Sequence, residues 1–243
     1  MINILLEGYD IAAEWLREPL SRYLQPHQRV AVIALAYRDS RVKSALDWNA
    51  LYAPGGRFYK GITAGFTPYG ISAESISFIG DLTDTKKSAS EKIAAADIVY
   101  FTGGLPDRMM ERIHAMGLTE ILRGKSGIVM GYSAGAVIQL AEYHLSPDED
   151  YAEFGYYEGI GYLRGFHHEV HYEETPVQKA SIARVLREKG GIVYATVCKK
   201  RGADRGKRCC DADWRCACIP IGRGSSRSCP FLLTSFILPK AVR

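Results

Sequence analysis

A chain of 243 residues, 47% hydrophobic and 24% charged, is long enough for one sizeable core, or one core plus an appendage, and is ordinary for a globular protein. Its net charge of +4 hides two unlike regions: residues 1–197 carry 20 Lys and Arg against 24 Asp and Glu, net −4, whereas residues 198–243 carry 11 against 3, net +8. No stretch reaches the roughly 18 apolar residues of a membrane span, and the opening MINILLEGYD has no basic leader, so a cytoplasmic protein is expected.

The first apolar run, residues 2–6, predicts a strand, and residues 13–24 a helix that Pro26 closes. Residues 30–36 predict a second strand and 40–52 a helix, while the Gly- and aromatic-rich stretch 53–70 shows no clean period. A third strand is expected at 76–79, a helix at 86–96, a fourth strand at 98–101, and a helix at 106–116 opened by Pro106 at its first position. Residues 128–130 read as a buried strand and 136–141 as a helix with an apolar stripe. After an acidic turn at 146–150 and a Gly- and Tyr-rich stretch at 155–165, residues 166–172 make a candidate strand. Thr175 as N-cap and Pro176 behind it open a helix to 189 that Gly190 and Gly191 stop, and residues 192–196 begin one more strand.

Such alternation predicts an α/β fold: a doubly wound, mostly parallel sheet with helices on both faces, whose ligands bind beyond the carboxyl ends of the strands. Two features fall there, Thr102-Gly103-Gly104 after the fourth strand and Gly131-Tyr132-Ser133-Ala134-Gly135 after the fifth. The second has the form of a nucleophile elbow, in which a tight strand-to-helix turn exposes a serine hydroxyl and glycines two positions either side relieve the crowded backbone.

A serine hydroxyl needs a base and a group to orient that base. His167, His168 and His171 are the downstream candidates. On an extended strand His167, Glu169 and His171 share one face, and His171 is preferred because it lies nearest the strand end, where loops converge. His27, His114 and His144 read as surface histidines. Asp148 is the first choice of orienting carboxylate, with Asp150 and Glu173 behind it. The backbone N–H groups of Ala134 and of Gly103 or Gly104 would line the oxyanion hole. An α/β-hydrolase would put several strands and helices between nucleophile and histidine, whereas here about 38 residues separate them.

The motifs Tyr100-Phe101-Thr102-Gly103-Gly104, Gly131-Tyr132-Ser133-Ala134-Gly135-Ala136, and Gly159-Ile160-Gly161-Tyr162-Leu163 leading to His171-Tyr172 together resemble the peptidase E family, S51, whose relatives include cyanophycinase. The resemblance covers residues 1–196. It implies a flavodoxin-like fold of the class I glutamine amidotransferase kind and a serine hydrolase, whose best-known members cut dipeptides with an N-terminal aspartate. On matching positions it makes Ser133 the nucleophile, His171 the base and Asp148 the third member. The family's usual Gly-Gly-Gly-Asn-Thr stands here as Gly103-Gly104-Leu105-Pro106-Asp107, and cyanophycinase's glutamine in that loop is missing. A small peptide is thus the expected substrate, with no metal or organic cofactor, no nucleic-acid or membrane partner, and a homodimer compatible. A non-catalytic amidotransferase-like module binding a metabolite or protein is the alternative.

All six cysteines lie in residues 198–243, among many arginines and no glutamate. Their spacing lacks the paired motif of common zinc modules, and a basic nucleic-acid arm would have little aromatic platform. The favoured reading is a frameshifted or disordered tail that replaces the native end of the last strand, leaving residues 1–197 as the single α/β hydrolase domain.

Overall fold

The computed structural model describes the backbone of residues 1–200, 214–221 and 235–239 and the side chains of residues 1–196. The described residues divide into two compact units, one of residues 1–136 with 237–239 and one of residues 137–200, 214–221 and 235–236.

The first unit is built on parallel strands. β1 (Ile2–Leu6), α1 (Glu14–Ser21), β2 (Val30–Ile33), α2 (Ala45–Tyr52), α3 (Arg57–Phe66), β3 (Ile76–Ile79), α4 (Lys86–Ala95), β4 (Ile98–Phe101), α5 (Pro106–Ala115), α6 (Thr119–Arg123), β5 (Ile128–Tyr132) and α7 (Ala134–Val137) follow in order. With β11 (Ser235–Pro239) the strands form a six-stranded sheet in the order β11-β1-β5-β4-β2-β3. β1–β5, β5–β4, β4–β2 and β2–β3 all pair parallel.

Continuous apolar runs such as Val30–Ile33 and Ile98–Phe101 form strands here because the sheet is covered on both faces. Ile4, Leu6, Val32, Tyr100 and Met130 join one core cluster with Leu16, Leu20, Ile62 and Phe66 of α1 and α3. The opposite parity, Ala31, Ile33, Val99, Phe101 and Val129, is equally buried, as are Ile93, Met109, Ile113 and Leu122 on α4, α5 and α6. This is the expected flavodoxin-like α/β architecture.

The second unit contains β6 (Glu142–Leu145), β7 (Gly155–Glu158), β8 (Phe166–Glu169), α8 (Pro176–Glu188), β9 (Ile192–Lys200) and β10 (Trp214–Ile221). β6 and β7 form an antiparallel pair; β8 runs parallel to β9, which pairs antiparallel with β10. Ile182 and Val185 of α8 pack with Val193 and Ala195 of β9. Thr175 caps α8 as expected, its hydroxyl accepting from the Gln178 amide.

Three expectations change. The stretch 53–70 contains α3, whose period is diluted by Gly61 and Gly65; a Cβ at Gly65 would stand 2.9 Å from the Ile11 side chain, so close packing rather than propensity sets that residue. The elbow helix ends at Val137, and the expected strand 166–172 ends at Glu169 because His171 takes a positive φ of 54°. Apart from the backbones of residues 198–200, 214–221 and 235–239, the frameshifted or disordered tail inferred for residues 198–243 lies outside the described residues.

Candidate active site

β5 delivers the elbow. Ser133 has φ 51°, in the left-handed region that a non-glycine residue enters at a cost of order 1–3 kcal/mol and keeps only where its surroundings enforce it. Its amide donates to the Leu6 carbonyl at 2.9 Å and its carbonyl accepts from Ala136 at 2.9 Å, so the turn is fixed from both sides. The flanking glycines are steric necessities. A Cβ on Gly131 would stand 2.3 Å from the Gly135 carbonyl oxygen, and one on Gly135 2.2 Å from that of Phe101. Ser133 remains partly exposed while Ala134 is buried.

Beside it, at the carboxyl end of β4, Gly103 and Gly104 come against Tyr132 of the elbow strand and Ala36 in the loop after β2. Because Phe101 pairs with Gly131, Gly103 reaches the level of Ser133, and a Cβ on it would meet the Tyr132 ring at 2.4 Å. Gly104, at φ 138°, leaves no room either: a Cβ would stand 2.1 Å from the Ala36 carbonyl oxygen. Ser133, Ala134, Gly103 and Gly104 thus lie in one unit, at the carboxyl ends of β4 and β5.

An unanticipated cluster braces this loop. The amide of Leu105 donates to Ala36 O at 2.8 Å. On either side of Ala36, Arg112 Nη1 donates to the carbonyls of Leu35 (2.6 Å) and Tyr37 (2.9 Å). The guanidinium also pairs with Asp39 at 2.5 Å and Asp81 at 3.4 Å, and it stacks 3.7 Å from the Tyr37 ring centroid. Tyr37 in turn donates to Asp81 at 2.6 Å. No motif in the sequence marks Arg112, since its partners lie 75 and 77 residues away.

The second unit carries the histidines. His171 is exposed, two residues past the end of β8, and its carbonyl accepts from Gln178 Nε2 at 2.9 Å. His168 is buried and its Nε2 lies 2.5 Å from the Thr196 hydroxyl; burial, then the charges of His144 and His171, pushes it down to about 3. His167 is also buried and pushed down to about 4, by desolvation first and His144 second. Of the three, His171 is the exposed imidazole.

His144 is not the surface histidine its position implied. It lies on β6 with its side chain fully enclosed, its Nε2 2.6 Å from Glu169 Oε2, which also accepts from the Ser146 hydroxyl at 2.9 Å. A buried carboxylate needs such donors. Asp148 is exposed, and its Oδ1 accepts the amides of Asp150 (2.8 Å) and Tyr151 (2.9 Å), closing its own turn. Asp150 and Glu173 are exposed as well. Among the described residues no group of three His, Cys, Asp or Glu is placed to hold a metal ion, and no helix is long and apolar enough to cross a membrane.

The family model described as peptidase family S51 matches residues 55–196. No curated protein matches the chain by sequence. Among solved structures, a protein of Listeria monocytogenes EGD-e assigned to peptidase E is similar in fold, with a TM-score of 0.52 at 17% identity over 91% of this chain and 98% of that one. A peptidase from an acI-B1 Actinobacterium gives a TM-score of 0.50 at 15% identity over 98% and 96%. The chain belongs to peptidase family S51 and is a serine peptidase.

Proposed function

As a member of peptidase family S51, this chain, we propose, hydrolyses small peptides through an acyl-enzyme on Ser133. His171 takes the proton of the Ser133 hydroxyl as its oxygen adds to the peptide carbonyl, and returns it to the departing amine. Water then attacks the ester with the same base, regenerating the serine. The oxyanion of each tetrahedral intermediate accepts hydrogen bonds from the N–H of Ala134 and of Gly103 or Gly104. Asp148 orients the imidazole; its Oδ1 is engaged in its own turn, so Oδ2 is assigned to that contact.

The observation that carries this reading is the positive φ of Ser133 between two glycines that admit no Cβ, a strained arrangement of a kind that clusters at active sites. Asp-X dipeptides are one substrate class to include, although Leu105-Pro106-Asp107 after the glycines brings no cation for an aspartyl side chain. The test is a dipeptide-library hydrolysis screen on the full chain and its Ser133→Ala variant. Every cleavage made by the full chain should vanish in the variant; cleavage that persists contradicts the mechanism.

A further inference from the structure

We propose that a cavity within the second unit, walled by Arg164, Gly165, His167, Lys189 and Gly190, binds a small oxyanion, the phosphate or carboxylate group of a metabolite. It is a second site and does not depend on Ser133. β8 runs from Phe166 to Glu169, with Arg164 and Gly165 before it and His171 after it, so the cavity and His171 belong to opposite ends of one strand. α8 spans the same interval. Gln178 in its first turn holds the His171 carbonyl, and Lys189 at its C-cap lines the cavity. At 1.5 Å per residue those two positions stand roughly 16 Å apart along the helix.

The cavity encloses about 380 Å³, within the range of small-molecule sites. Glycines keep its wall bare. Gly165 and Gly190 take positive φ of 88° and 68°, and a Cβ on either would meet nothing within 4 Å, so backbone conformation and not crowding sets them. The charges favour an anion. Lys189 pairs with Glu142 at 2.8 Å, which leaves Arg164 as the net positive charge on the wall; among the described residues its guanidinium makes no hydrogen bond or ion pair. His167 is 8% exposed, and its Nδ1 is enclosed without a hydrogen-bond partner. A buried polar ring left unbonded is the kind of exception that calls for a ligand or water beside it. The guanidinium fork matches two oxygens of a phosphate or carboxylate, and the imidazole can add an N–H. A cation would meet Arg164, with Glu142 already taken by Lys189, and an apolar ligand would leave both donors unpaired.

The test titrates the full chain with sodium phosphate and with sodium acetate, ionic strength held constant with chloride, and follows the His167 ring protons and the Gly165 and Gly190 amides by NMR. Saturable shifts at all three are expected. Saturation by both probes assigns a general oxyanion site, by phosphate alone a site for phosphate esters, by acetate alone one for carboxylates. Arg164→Gln, a change at an exposed position, should weaken binding about tenfold or more. Arg187→Gln, on α8 but outside the cavity wall, should leave it unchanged. No saturable shift with either probe, affinity undiminished in Arg164→Gln, or an equal loss in Arg187→Gln overturns the proposal; the titration of the unaltered chain needs no variant to fold.

Discussion

The amide of Ser133 donates to the carbonyl of Leu6 at 2.9 Å, so the residue after β5 is held in the sheet's ladder even as its backbone turns into the left-handed region. The elbow is therefore a continuation of two packed strands rather than a loose loop. Its rigidity depends on the two glycines that let the chain fold back on itself.

Gly135→Ala tests that dependence. The added methyl would overlap the Phe101 carbonyl, which cannot rotate away as a side chain could. Overpacking of this kind typically costs about 1–3 kcal/mol. The urea midpoint should fall and peptide turnover should fall with it; an unchanged midpoint would show that β4 and β5 have room to separate.

Arg112→Met should act on chemistry more than on binding. Removing the guanidinium releases the carbonyls of Leu35 and Tyr37 on either side of Ala36, against which Gly104 is packed. Small displacements of oxyanion donors are costly, so kcat should fall about tenfold or more while KM changes little. Asp39→Asn, at the exposed end of the same cluster, should change neither parameter appreciably. Steady-state kinetics on the three proteins separate the outcomes.

The buried histidines set an acid limit. His167 and His168 have folded values of about 4 and about 3, below the usual histidine value of 6.5. Between those limits the unfolded chain binds more protons than the folded one, so stability is fully present above pH 6.5 and is lost as pH falls toward 4 and then 3. Burial drives both shifts; the charges of His144, His171 and Lys189 push the same way, and Glu142 opposes them. Denaturation midpoints of the full chain should drop over this window, and the drop should be shallower in His168→Gln.

Glu169→Gln should destabilise the second unit by about 1–3 kcal/mol, since it replaces the charged acceptor shared by His144 and Ser146 with a neutral amide in an enclosed site. Chemical denaturation at pH 7 measures it. A neutral outcome would mean that the pair contributes no net stability.

Much of this was legible in the residues. Ile2–Leu6, Ile76–Ile79 and Ile98–Phe101 form strands at the expected positions because uninterrupted apolar runs fit a sheet buried on both faces. The elbow was legible because its glycines answer to local sterics. Long-range effects were not: α3 keeps two glycines for packing against the segment around Tyr9 and Ile11, and β8 ends early at a backbone reversal. His144 looked like a surface residue because nothing near it in sequence reveals that Glu169 is its partner. Arg112 acquires its contacts only through the approach of a loop 75 to 77 residues away.

The most direct test of the central claim is intact-mass and peptide-mapping spectrometry of the folded full chain after treatment with a fluorophosphonate. A single adduct on Ser133, absent from Ser133→Ala, is the expected result. A folded chain that takes no adduct, or takes it on another serine, contradicts the account.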